Sequence, residues 1–468
     1  MQASTNRILA ALILVALLGS MAAGCARDEE PTQAVQPEAT QAPDVSQEQE
    51  PMKDEKTGAT PTPDVSQEQD QPQAQGPQVA SSKVQRAMTP SVSPADLADL
   101  VDGNSAFAFD LYQALRGQKG NLFYSPYSIS LALAMTYAGA RGETARQMAE
   151  TLRFGLAQER LHPAFNALDL KLTGPHTEGF ELNIANSLWG QHDYVFLSAF
   201  LDTLAENYGA GLRLLDFVNA PEPSRQVIND WISQQTEEKI QDLIPAGGIT
   251  PVTVLVLANA IYFNAEWLHP FAEDRTHDAP FYTLDGKQVT VPMMAMSEPQ
   301  TLSYARGQGY KAVEMLYKGQ EMSMLVVVPD EGQFEAFEAA LDAAQVETIV
   351  SALAPNKVIL RMPKFTYESE FGLAETLAGM GMPDAFGKAD FSGMDGTQNL
   401  FISDVFHKAF VAVDEAGTEA AAATAVVMSR LSLPEYDVEL TVDRPFVFMI
   451  RDVETGAILF VGRVVNPV

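Results

Sequence analysis

From Ser93 onward the chain carries apolar periodicity, and no Pro/Gly/Ser-rich stretch up to Val468 is long enough to act as a linker. Patterning that no linker divides must close on a shared core, so residues 93–468 are predicted to fold as one large α+β domain. Ser93-Pro94 is a helix start, with a hydroxyl cap and proline in the first turn. Helices are predicted over 95–115, 125–138 and 226–240. Strand-like runs cover 252–263, 322–328, 358–362 and 401–413, and a closing hairpin joins 446–450 to 457–465. The helices crowd the first half and the strands the second.

The residues before this domain have a different character. Asn6-Arg7 precede an uncharged apolar run from Ile8 to Leu18, and small residues dominate Gly19 to Gly24. This is the layout of a secretory leader, and the run falls short of the roughly 20 residues that span a bilayer. Residues 1–24 are therefore read as a signal peptide and the protein as exported. Residues 25–92 are rich in Pro, Gln and Glu with little to bury, so they are read as a disordered tether. Within them Pro43 to Gln49 recurs verbatim as Pro63 to Gln69, with one valine per copy, which suits a duplicated tether better than a stacking repeat.

The chain has one cysteine, Cys25, which excludes an internal disulfide framework and Cys-rich metal sites. Ala22-Ala23-Gly24-Cys25 resembles a bacterial lipoprotein box, departing from it in having Ala22 where leucine is commonest. That resemblance implies acylation of Cys25 and a membrane anchor at the cell envelope or surface; the other reading is a free structural thiol in a secreted protein.

Charge and motifs narrow the chemistry. Sixty-one acidic residues against 30 basic ones give a net charge of −31, which disfavours nucleic-acid partners because polyanion affinity rests on Lys and Arg. No G-x-S-x-G, G-x-x-x-x-G-K-[ST] or H-E-x-x-H occurs, and His162, His176, His192, His269, His277 and His407 lack metal-ligand spacing. Asp414-Glu415 reads as solvated charge. Neither an enzyme nor a cofactor is expected.

One segment does not suit a quiet fold. After the strand at 401–413, Asp414 to Met428 is a run of small residues that leads into the polar stretch Ser429 to Pro434. Alanine propensity favours a short helix capped by Thr418, but Gly417 weakens it and no amphipathic stripe emerges. With period two, Thr418, Ala420, Ala422, Thr424 and Val426 share a face. That face is small throughout, so the segment could slide between strands of a sheet without overpacking the core.

Here the chain resembles the serpin family over residues 94–468. The resemblance rests on Asn121-Leu122-Phe123-Tyr124-Ser125-Pro126-Tyr127-Ser128-Ile129, Gly139-Ala140-Arg141-Gly142-Glu143-Thr144 and Asn259 to Trp267. Met362-Pro363-Lys364-Phe365, Phe406-His407-Lys408-Ala409, Arg444-Pro445-Phe446 and Val464-Val465-Asn466-Pro467 follow in the family's order. It implies the serpin fold, with a helix-rich N-terminal part, a large mixed main sheet, smaller sheets and an exposed reactive-centre loop.

The resemblance also implies a function: a suicide-substrate inhibitor of serine proteases, whose cleaved loop inserts into the main sheet and traps the acyl-enzyme. The hinge would be Glu415, Gly417, Thr418, Ala420, Ala421, Ala422, Ala423 and Thr424. The polar cluster called the shutter would be Ser125, Ser128, Asn259 and His407, and the breach at the loop's entry would hold Trp267, Lys364 and Glu415. Lys364 and Glu415 would form an ion pair, worth little if isolated and exposed. The family's spacing puts the attacked bond at Leu431-Ser432, or at Arg430-Leu431 with a hinge one residue shorter. The first implies chymotrypsin-like, elastase-like or subtilisin-like targets, the second trypsin-like ones, and a cysteine protease is a further possibility. The chain is expected to be a monomer. The alternative is a non-inhibitory binding protein of the same fold at the cell surface.

Overall fold

The computed structural model describes residues 77–174, 180–419 and 435–468. The leader, Cys25 and most of the tether lie outside the described residues, as do Ala420 to Thr424, Arg430, Leu431 and Ser432. Among the described residues, six helices come in the first half: α1 (Pro94–Leu115), α2 (Pro126–Tyr137), α3 (Gly142–Thr151), α4 (Gln158–Leu172), α5 (Ser198–Tyr208) and α6 (Pro221–Gln235). Shorter ones follow as α7 (Phe334–Ala340), α8 (Ala343–Ser351), α9 (Ala374–Met380) and α10 (Ser392–Asp395).

The strands begin with β1 (Gln78–Ala80), β2 (Leu122–Tyr124), β3 (Phe180–Gln191), β4 (Leu212–Leu215), β5 (Leu255–Glu266) and β6 (His277–Tyr282). They continue with β7 (Gln288–Ala295), β8 (Gln300–Gly307), β9 (Tyr310–Leu316), β10 (Met322–Pro329), β11 (Ala354–Pro363) and β12 (Phe365–Gly372). The last are β13 (Asp404–Val413), β14 (Gly417–Thr418), β15 (Val438–Thr441), β16 (Phe446–Asp452) and β17 (Ile458–Val464).

Two sheets organise these strands. The main one has seven, in the order β1-β4-β3-β5-β14-β13-β12. The other has ten, running β2-β17-β16-β10-β9-β8-β11-β7-β6 with β15 on β11. β5 sits at the centre of the main sheet and is buried at ten of its twelve positions, which explains its almost unbroken apolar sequence: a strand covered on both faces has no solvent side to mark with polar residues. On one face, α6 packs Ile228 and Ile232 against Ala185, Trp189, Ala258 and Phe406 of the sheet. The larger core lies on the other side and joins α1, α2 and the second sheet.

Local signals account for several boundaries. Ser93 caps α1, its hydroxyl accepting the Asp96 amide at 3.1 Å. α6 runs from Pro221 to Gln235 instead of 226–240. Pro221 and Pro223 suit a first turn, and Glu237 and Glu238 beyond the end take left-handed φ of 51° and 63°. The closing strand is tied in by Arg463, which is only 3% exposed. Its guanidinium meets Glu338 at 2.7 Å and the carbonyls of Arg116, Gln118 and Gly120. A buried charge so fully partnered is not a binding group in waiting.

The expected tether boundary at residue 92 needs correction, because the chain joins the fold earlier. β1 pairs antiparallel with β4, Gln78 opposite Leu214 and Ala80 opposite Leu212. Beyond it the Ala87 amide donates to the Glu206 carbonyl at 2.9 Å. Arg86 reaches the Asp169 carboxylate at 2.6 Å and the Asn166 side chain at 2.8 Å. Composition misjudged this strap because backbone pairing along a sheet edge needs no large apolar side chain.

Candidate functional site: the opening in the main sheet

β5 and β13 are parallel neighbours from Val256–Asp404 to Ile261–Ala409. Above that point they part, and β14 lies between them. Thr418 pairs with Val413 of β13 on one side and Ala265 of β5 on the other. The small-residue segment therefore opens as the first residues of a new central strand, not as a capped helix. Asp414 makes the reversal: its carboxylate accepts the amides of Ala416 at 2.9 Å and Gly417 at 3.1 Å. Gly417 is required by space, since a Cβ there would lie 2.0 Å from the Ala265 carbonyl oxygen.

Thr418 is only 2% exposed and its hydroxyl bonds the Tyr317 hydroxyl at 2.7 Å. Its side chain thus points to the core, where burial pushes the Tyr317 phenol far above its ordinary pKa. Tyr317 in turn stacks on Trp267, with ring centroids 4.5 Å apart at 11°. Trp267 holds the turn from below: its indole donates to the Asp414 carbonyl at 3.0 Å and its amide to the Ala416 carbonyl at 2.8 Å. Glu419 faces the opposite way and pairs with Lys239, beyond the end of α6.

Glu415 is neither solvated charge nor half of an exposed pair. It is a buried residue whose carboxylate accepts from Lys364 at 2.7 Å and from the Thr276 hydroxyl at 2.7 Å. Burial alone would raise its pKa, but these two hydrogen bonds, a backbone hydrogen bond and the Lys364 charge together outweigh it and hold the carboxyl below its usual value.

Below the wedge the sheet is held by a polar cluster from four separate segments. The Ser125 amide donates to His407 Nε2 at 3.1 Å, and His407 Nδ1 bonds the Asn259 carbonyl oxygen. Asn259 donates to Ser128 Oγ at 2.6 Å and also to Asn186. Ser128 donates to Asn186 at 3.0 Å, and its amide to Ser125 Oγ at 3.1 Å. His407 is fully buried and its pKa falls to about 3 because burial disfavours the imidazolium. It is therefore a neutral ring, with Nδ1 donating and Nε2 accepting. The cluster links α2, β3, β5 and β13 across the seam that a further central strand would have to part.

The structure thus brings Ser125, Ser128, Asn259 and His407 together, and likewise Trp267, Lys364 and Glu415. Sequence reading passed over Asn186, Thr276, Tyr317 and Lys239. Tyr317 and Thr276 stand in stretches with no pattern of their own, and only tertiary contact gives them a role. Asn186 had a signal, a polar residue within an alternating strand, but β3 itself was not singled out.

A main sheet zipped shut at one end and wedged open at the other by its own chain defines a class of protein. Residues 102–467 match the family model for Serpin (serine protease inhibitor). An uncharacterised serpin-like protein of Thermococcus kodakarensis is 39% identical over 371 residues, covering 79% of this chain and 86% of its own. The leukocyte elastase inhibitor of Xenopus laevis is 39% identical over 370 residues, covering 77% of this chain and 97% of its own. Among solved structures, the thermophilic serpin tengpin in its native state superposes with a TM-score of 0.75 at 29% identity, covering 83% of this chain and 100% of its own. The chain belongs to the serpin family.

Proposed function

We propose that this serpin inhibits serine proteases as a single-use substrate, by loop cleavage followed by insertion of the freed hinge between β5 and β13. Loop insertion is a transition known from serpins generally. The observation that carries the reading here is the register of β14. With Thr418 opposite both Ala265 and Val413, each further residue steps one position down both neighbours. Six residues on, Thr424 would arrive between Asn259 and His407, as a hydroxyl entering the polar cluster just where insertion breaks their bond. The even-numbered residues Ala420, Ala422 and Thr424 would follow Thr418 toward the core, and all are small.

The energetics favour completion. β5 and β13 exchange six residue pairs, and insertion replaces that ladder with two longer ones. At about 0.5–1.5 kcal/mol per new hydrogen bond, the gain is on the order of 10 kcal/mol. At roughly 3.3 Å per residue, about 15 inserted residues carry the loop's end about 50 Å. The uninserted form is then a kinetic trap, with a stability that is properly a rate.

The direct test is incubation with chymotrypsin, elastase, subtilisin and trypsin. An SDS-resistant complex is expected, with release of Ser432–Val468 if Leu431-Ser432 is the attacked bond or Leu431–Val468 if it is Arg430-Leu431. Cleavage by all four without any complex would overturn the reading.

The same proposal places the inhibitor on a surface. Its support is the leader-like Ile8 to Leu18 run and the Ala22-Ala23-Gly24-Cys25 box. In bacterial cells, labelled palmitate is expected to enter the wild-type chain and not Cys25→Ser; equal labelling of both would remove the anchor.

A further inference from the structure

A cavity of about 710 Å³ lies away from the sheet opening. Three segments enclose it: the turn from β6 to β7, the passage from β10 into α7, and the residues that link β15 to β16. Its size falls in the range of roughly 300–1,000 Å³ usual for small-molecule sites. One wall is apolar and open to water. Tyr282 and Leu284 are 45% and 47% exposed there, backed by Pro329 and Pro445. Two large apolar side chains held out into one concavity differ from the singly scattered ones that any surface carries.

The rest of the lining is largely charged. Asp330 and Glu331 follow β10, and Glu335 stands in the first turn of α7. The lining contains one cation, Arg444, and its guanidinium is already engaged by Asp443 at 2.9 Å. Asp330, Glu331 and Glu335 have no ion-pair partner among the described residues. Three carboxylates thus gather at one cleft, whose low-dielectric walls focus the negative field. A bare metal ion would leave the apolar wall unused, and no grouping of His, Cys, Asp and Glu among the described residues could hold one.

We propose that this cavity binds an amphipathic organic cation: an ammonium or guanidinium group on an aromatic or aliphatic body. The charged end lies among Asp330, Glu331 and Glu335, and the body covers Tyr282 and Leu284, where the phenol ring offers an aromatic face to pack on. The ligand touches no residue of the main sheet, so binding does not require the loop to move.

Isothermal titration of the full chain with tryptamine tests this, with tryptophol as the neutral analogue. Tryptamine is expected to bind one-to-one, at least tenfold more weakly to a Glu331→Gln/Glu335→Gln variant, and more weakly to wild type in 0.5 M salt. Tryptophol should bind at least tenfold more weakly than tryptamine. Glu347→Gln removes an exposed charge elsewhere on α8 and should leave affinity unchanged, and Leu284→Ser should lower it. The three substituted positions at the cavity are exposed, so melting temperatures near wild type should confirm intact folding. Absence of saturable tryptamine binding, equal affinity for tryptophol, or affinity unchanged in the double variant would each overturn the proposal.

Discussion

Thr418→Arg is expected to turn the inhibitor into a substrate, raising the number of inhibitor molecules consumed per protease molecule about 100-fold while loop cleavage proceeds at its normal rate. Thr418 is the first hinge side chain to face the core, where it is nearly fully buried and bonded to Tyr317. An arginine must either bury an unpaired charge there, at a cost of several kcal/mol, or hold the top of the seam open to solvent. Slowing insertion by about 3 kcal/mol changes its rate roughly 100-fold, enough for hydrolysis of the acyl-enzyme to win. The measurement is residual protease activity against molar ratio, with Thr418→Ser as the control that keeps the hydroxyl. Undiminished inhibition by Thr418→Arg would show that the seam is not where the hinge goes.

Mild acid should destabilise the native state sharply, through two buried histidines. Burial lowers the pKa of His407 to about 3 and of His162 to about 4, against an ordinary 6.5. Both folded values are depressed, and for a base this means the unfolded chain takes up the proton first. Their contribution is intact above pH 6.5 and is lost as the pH falls below it. At pH 5 each accounts for about 2 kcal/mol. The consequence at His407 is local as well as global, because a proton on Nε2 would confront the Ser125 amide that now donates to it. His162 Nε2 has no partner to receive. Carboxylates such as Glu415, held below their usual pKa by partners, lose stability only at lower pH, and Asp404, raised by burial, acts in the opposite sense, so a fall between pH 6.5 and 5 points to the histidines. Melting temperature should fall steeply across it, and His407→Gln should flatten the slope. A flat profile in the wild type would remove the cluster as an acid-sensitive lock.

Much of the site was legible because its chemistry is carried by unusual residues in ordinary places. A histidine and an asparagine in apolar strands, and a small-residue run with period two after a strand, are visible without coordinates. The partners were harder to see. Asn186, Tyr317 and Thr276 are common residues whose roles come from where β3, the residue after β9 and the chain after β5 meet the polar cluster and the hinge. α6 was displaced by five residues because its proline-marked start was passed over in favour of an apolar stripe. The strap failed for a deeper reason: sequence patterning reports side-chain burial, while β1 is held by main-chain pairing and Arg86.

β1 also has a mechanical meaning. Tension along the N-terminal stretch reaches the domain first at three residue pairs with β4, which lie at the opposite edge of the main sheet from β12. The load then divides, since Arg86 and Ala87 fasten the strap to α4 and α5 before α1 begins. A pull therefore acts on the rim of the same sheet that the proposed insertion would widen. Under the proposed anchor and loop insertion, attachment and change of shape would share a single structural element.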